Sequence, residues 1–212
     1  MVSLSHTRKR MARWEERIFI LFYSCMIGLY IVLGIIAVLL LWVVGVYNGL
    51  ITLRNRTQEA WSDIDVQLKR RHDLIPNLVN SVKGYMTHEK DLLENITKAR
   101  SQAMEAQNTG DTAKLAQTEG MLGGMLGRLQ IAMEAYPDLK ANTNVSQLMD
   151  ELSDTENKIQ ASRRFYNGNV RDFNTKMEVF PSNLIAGMLK FTKFDFFEIA
   201  DPKERENVTV QL

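Results

Sequence analysis

Apolar residues fill positions 18–47 without a single charge. About 20 such residues are enough to carry a helix across the hydrocarbon core of a bilayer. The run has about half as many again, which leaves room for tilt or protrusion, and it predicts one transmembrane helix. Past the weak break Asn48-Gly49 the pattern changes. Leu50, Leu53, Thr57, Trp61, Ile64, Leu68, Ile75, Leu78 and Val82 recur at intervals of three, four and seven, which is one stripe along a helix. Pro76 falls inside that stripe, and a kink there is expected rather than a stop.

Three further helical stretches follow. The second starts near Thr87 as N-cap and carries Leu92, Leu93, Ile96, Ala99, Ala103 and Ala106. Asn108-Thr109-Gly110-Asp111 ends it and caps the third, which runs to about Tyr136 ahead of Pro137. Thr143 or Asn144 caps the fourth, whose stripe of Val145, Leu148, Leu152, Thr155, Ile159, Ser162, Tyr166, Phe173, Met177 and Phe180 keeps a coiled-coil-like spacing up to Pro181. No useful length of alternating pattern occurs, so the fold class is all-α. The first and fourth helices would each be near 55 Å long, the middle pair roughly 30–36 Å. The expected architecture is a single transmembrane helix continuing into an antiparallel bundle of about four helices, with the short pair as a distal hairpin. In chain order this gives a basic cytoplasmic segment over 1–17, the span over 18–47, the bundle over 48–181 and a membrane-proximal tail over 182–212. Phe191, Phe194, Phe196 and Phe197, mixed with Lys190 and Lys193, suit a contact at headgroup level.

Charge adds orientation but no partner. Across 212 residues the net charge is +1, which gives no pull toward nucleic acid. Arg8, Lys9, Arg10, Arg13 and Arg17 precede the span, whereas Arg54 and Arg56 follow it closely. Positive flanks stay cytoplasmic, so the N-terminus is expected inside and the main domain outside the inner membrane. The one cysteine, Cys25, lies within the apolar run, which excludes an intramolecular disulfide and a cysteine metal site. A lipoprotein cleavage at Cys25 fits poorly, because most of the apolar run lies after it.

Several blocks carry a resemblance. Tyr47-Asn48-Gly49-Leu50, Arg54-Asn55-Arg56, Glu59-Ala60-Trp61-Ser62-Asp63-Ile64-Asp65-Val66-Gln67-Leu68-Lys69-Arg70-Arg71 and Asp73-Leu74-Ile75-Pro76-Asn77-Leu78-Val79 come first. Glu151-Leu152-Ser153-Asp154-Thr155-Glu156-Asn157-Lys158-Ile159, Ser162-Arg163-Arg164-Phe165-Tyr166-Asn167 and Phe180-Pro181-Ser182-Asn183 follow. Together they resemble the LemA family over nearly the whole chain after the first basic segment. The resemblance implies a bacterial single-pass membrane protein with a helical-bundle domain and no assigned reaction. Some relatives act in building or organising membranes, magnetosome membranes among them. The Phe-rich tail departs from the family pattern.

No catalytic constellation emerges from the residues. His72 and His88 each precede a carboxylate, but neighbours on a helix point about 100° apart and form no chelate alone. Glu59 and Asp63 share a helix face, where pairing with Arg56, Lys69 or Arg163 is the expected role. No Gly-x-Ser-x-Gly and no phosphate loop occurs. We expect no cofactor and no metal. Lys69, Arg70 and Arg71 form a basic cluster, and Arg163, Arg164 and Tyr166 could lie level with it on the fourth helix. Gly120, Gly123, Gly124 and Gly127 are interleaved with Met121 and Met125. Four helical glycines at roughly 1 kcal/mol each need a reason, either close packing in the hairpin or a partner surface. Gly120, Met121, Gly124, Met125, Lys69, Arg70, Arg71, Arg163, Arg164 and Tyr166 are accordingly the candidate contacts. The expected function is a non-enzymatic, self-associating envelope scaffold, a homo-oligomer of which a ring is one form, in contact with membrane lipid. The alternatives are an adaptor docking an envelope enzyme or protease through the distal hairpin and, third, a metal-dependent hydrolase using His72 and His88.

Overall fold

The computed structural model describes residues 3–198, and every regular element among them is helical. The first helix, α1, runs unbroken over Ser3–Val82, 80 residues, or roughly 120 Å at 1.5 Å per residue. Neither Asn48-Gly49 nor Pro76 ends it. Both lie where neighbouring helices hold α1 along its length: Leu50 beside the first site is fully buried, as are Ile75 and Leu78 around the second. Packing therefore outweighs the propensity cost of glycine and the lost proline bond.

A turn plugged by the buried Met86 leads to α2, Lys90–Thr109. Its cap is Glu89, not Thr87, and Glu89 makes no side-chain capping bond. Gly110, at φ +70°, turns the chain in the left-handed region that glycine enters without penalty. Asp111 then caps α3, Thr112–Met133, by accepting from the Lys114 amide. Pro137 opens the short α4, Pro137–Lys140. Asn142 caps α5, Thr143–Glu178, one residue before the expected cap, accepting from the amides of Asn144 and Val145. The last helix, α6, is Ser182–Met188.

Contacts fix the directions. Tyr85 with Asn142, Arg71 with Glu156 and Trp61 with Tyr166 advance oppositely along α1 and α5. Arg100 with His72 and Gln107 with Asp65 do the same along α2 and α1. Hence α2 and α3 lie beside the distal half of α1, and α5 returns to the end of the apolar span. Three apolar clusters follow one another along this rod. The distal one includes Ile75, Val82, Ile96, Leu122 and Val145. The middle one includes Ile64, Leu68, Ile159, Tyr166 and Phe197. Val46, Leu50, Phe173, Ile185 and Ala186 form the cluster at the end of the apolar run.

Residues 191–198 correct one expectation. They form no helix and turn back along α5, away from the span. Phe197 is 0% exposed and stacks edge-on against Trp61. Phe191 and Phe194 pack edge-on against Phe173. Only Phe196 of the four is exposed. The expected headgroup contact therefore has no free ring at Phe197, because the bundle core takes it first.

Candidate functional site

Arg71 occupies the stripe position between Leu68 and Ile75, so α1 turns its guanidinium inward. Glu119 likewise sits on the buried stripe of α3 with Leu115, Leu122 and Leu126. Arg71 Nη1 donates to Glu119 Oε2 at 3.2 Å, and Arg71 Nη2 pairs with Glu156 at 3.1 Å. His72 Nε2 lies 2.7 Å from Glu119 Oε1. Arg100 Nε closes the group by donating to the His72 carbonyl at 2.6 Å. Arg71, His72 and Glu119 are all buried, and with Arg100 and Glu156 the cluster ties four helices together: α1, α2, α3 and α5. A Cβ on Gly123 would lie 3.0 Å from Arg71 Nη2. Gly123 thus gives the guanidinium its space, while Gly124 and Gly127 meet nothing within 4 Å.

The candidate contacts therefore separate. Lys69, Arg70 and Arg164 are exposed, with Arg70 reaching Glu151 at 3.7 Å. Arg71 is withdrawn into the core and offers no surface. Tyr166 is withdrawn too: its hydroxyl donates to the Asp195 carbonyl at 2.9 Å. Burial, with the Asp195 charge adding to it, pushes the Tyr166 hydroxyl up to about 12. The Arg163 guanidinium lies 5.4 Å over the Phe197 ring. On α3, Gly120, Gly124, Gly127 and Ile131 share one face; Gly124, Gly127 and Ile131 are exposed, and Gly120 is half-buried. Met121 is exposed and Met125 half-buried beside them. Gly124 and Gly127 thus do not serve close packing within the hairpin, and Gly123 makes room for Arg71 of α1.

Two asparagines one heptad apart on α5 hold the tail. Asn174 Nδ2 donates to the Phe194 carbonyl at 2.9 Å and its Oδ1 accepts from the Phe194 amide at 3.1 Å. Asn167 does the same to Phe197, at 3.1 and 2.9 Å. Seven helical residues rise about 10.5 Å, and three extended residues about 10 Å. The two repeats match, so each amide side chain meets a backbone amide pair in step.

His72 is bonded within the cluster, and His88 is exposed in the turn before α2. Among the described residues no three of His, Cys, Asp and Glu come together as a metal-holding group. Glu59 and Asp63 face solvent.

One cavity stands beside the end of the apolar run. It measures about 370 Å³ and is lined by Tyr47, Ile51, Arg54 and Gln58 of α1, Phe173 of α5, and Leu189 to Phe194 without Lys193.

A long apolar helix feeding a helical rod is what the sequence resemblance implied, and comparison with known proteins decides the family. The LemA family model matches residues 60–212. The chain belongs to the LemA family. It is similar to Protein LemA of Metamycoplasma hominis, 29% identical over 93% of this chain and 85% of that one. It is also similar to Magnetosome protein MamQ 2 of Paramagnetospirillum magneticum, 24% identical over 78% of this chain and 70% of the relative. Magnetosome protein MamQ of Magnetospirillum gryphiswaldense is 22% identical over the same shares. Within this LemA-family chain, α1 holds one stretch long and apolar enough to cross a membrane, its exposed side chains unburied by the rest of the fold.

Proposed function

We propose that this LemA-family chain is a non-enzymatic, membrane-anchored scaffold that self-associates and organises the bacterial envelope. The observation that carries this reading is the unbroken α1, which joins an apolar span to a rod of helices without a hinge. A rod fixed to its anchor presents its side faces at a constant height above the bilayer. Neighbouring copies then meet face to face in two dimensions, where weak contacts suffice. The glycine-bearing face of α3 and the exposed Lys69, Arg70 and Arg164 are the faces available for it. The MamQ relatives are named magnetosome proteins, which supports a role at a membrane. Crosslinking and mass photometry of the full chain in mild detergent test this: oligomers are expected, and monomers alone would overturn it.

A second reading is an adaptor whose α2–α3 hairpin docks an envelope enzyme or protease. Exposed Met121 and Ile131 favour it, the latter 70% exposed. Leu129, by contrast, is buried in the core. Alanine at Met121 and Ile131 that loses a captured partner while leaving self-assembly intact would select the adaptor.

A further inference from the structure

The cavity at the membrane end has a distinctive composition. Arg54 and Lys190 line it, and no carboxylate does. Neither cation has an ion-pair partner among the described residues, whereas the nearby Lys193 is taken by Glu178. The remaining lining is Tyr47, Phe173, Phe191 and Phe194 with aliphatic and neutral polar groups. Its volume of about 370 Å³ falls within the range of about 300–1,000 Å³ typical of small-ligand sites.

Its height is set by α1. Tyr47 closes the apolar run, and Ile51, Arg54 and Gln58 stand one, two and three turns further out. Side chains on a helix lean toward its N-terminus, so Arg54 leans back toward the span. Beside the cavity, α6 buries Ile185 and Ala186 against Val46 and Leu50. Its other face exposes Leu184 and Met188, with Phe180 and Leu189 at its two ends; Met188 is 74% and Phe180 78% exposed. Large apolar groups left bare beside a membrane span, rimming a cationic aromatic cavity, describe a surface that sits in the interface.

Lys190 is placed at some cost. The chain leaves α6 through a Schellman turn, with the Phe191 amide donating to the Ala186 carbonyl at 3.0 Å and the Lys190 amide to that of Gly187 at 3.2 Å. The left-handed residue of such a turn is usually glycine. Here it is Lys190, at φ +53°, the one non-glycine residue with positive φ among those described. Strain accepted for a particular side chain points to what that side chain does.

We propose that this cavity binds the phosphate of an anionic phospholipid headgroup, with Arg54 and Lys190 as the phosphate ligands and the α6 apolar face against the acyl boundary. The proposal rests on the reading of α1 as a membrane span. A guanidinium recognises phosphate oxygens through paired N–H donors, and an ammonium adds a point charge. The site lies one to three turns beyond the apolar run, at the level of the lipid phosphates.

The test titrates the detergent-solubilised full chain with short-chain phosphatidylglycerol, short-chain phosphatidylcholine and inorganic phosphate, by calorimetry. Saturable binding of the phosphatidylglycerol alone is expected, weakened at least tenfold in the Arg54→Gln, Lys190→Gly double variant. Lys190→Gly suits the turn better than lysine, so its Tm should be equal or higher, which separates lost binding from lost fold. Equal binding of phosphatidylcholine, or an unchanged affinity in the double variant, would overturn the proposal. Inorganic phosphate binding as tightly as the lipid would assign a free-anion site instead and overturn the lipid assignment. Flotation with phosphatidylcholine vesicles checks the membrane reading separately: both wild type and double variant should float, and a wild type that does not float would overturn that reading instead.

Discussion

At the scale of single residues, neighbouring glycines on α3 should behave oppositely. Gly124 is exposed with open space around its Cβ position, so Gly124→Ala should stabilise by about 0.5–1 kcal/mol through helix propensity. Gly123→Ala places its methyl 3.0 Å from Arg71 Nη2. That guanidinium is held on both nitrogens by Glu119 and Glu156 and cannot yield freely, so the same exchange should destabilise. Thermal melts of the two variants check the signs. If Gly124→Ala also weakens crosslinking while raising Tm, the glycine face is a contact and not a defect. Glu119→Ala leaves His72 without its partner and Arg71 with Glu156 alone and should cost about 3–5 kcal/mol, while the joint exchange Arg71→Met, His72→Leu, Glu119→Leu should cost far less. Denaturant titration separates these. Tyr166 gives a pH signature. Its folded value of about 12 lies above the ordinary value of about 10. Its contribution is therefore complete below about pH 10 and lost as pH rises toward about 12. Tyr166→Phe should flatten that alkaline fall relative to wild type, read as Tm against pH.

At the scale of elements, the tail is a strand-like segment held on a helix by two amide side chains. Asn167→Ala with Asn174→Ala should free the Phe194 and Phe197 amides to hydrogen exchange while α5 keeps its protection. Phe197→Ala should cost about 3–5 kcal/mol, as for a buried aromatic. This element also marks the limit of what the chain's pattern reveals. Stripes spaced at three and four placed the helices, because a helix that buries one face must repeat on that face. Arg71 falls in step with the α1 stripe and Glu119 with the buried face of α3, but charge groups Arg71 with Lys69 and Arg70 as a surface cluster and leaves Glu119 without any mark in the sequence. Periodicity ranks positions within one helix and says nothing of which charged position meets which across helices. Phe197 departs from the expected interface for a related reason. Its composition suits an interface, but its position is set by a match between an α5 heptad and three extended residues, which only the folded geometry displays. Lys190 was grouped with the tail's basic and aromatic residues, while the left-handed turn that makes it notable leaves no mark in composition.

At the scale of the whole molecule, everything depends on which side of the membrane the rod stands. The charge asymmetry around the apolar run predicts the outside: five cations precede the run, against Arg54 and Arg56 within the first turns beyond it. If Arg54 binds a lipid phosphate, it is held at the surface by the same contact, which reinforces a fixed height for the rod. A cysteine probe tests the orientation with little disturbance. Cys25 is the single natural cysteine and lies in the apolar run, so Cys25→Ser gives a clean background. Gly84 lies in the distal turn with nothing within 4 Å of its Cβ position, so Gly84→Cys should be tolerated and open to reagent. In right-side-out spheroplasts a membrane-impermeant maleimide should label it without lysis. Labelling only after lysis would place the rod in the cytoplasm, reverse the orientation drawn from the flanks, and move any assembly built from these rods to the inner face of the membrane.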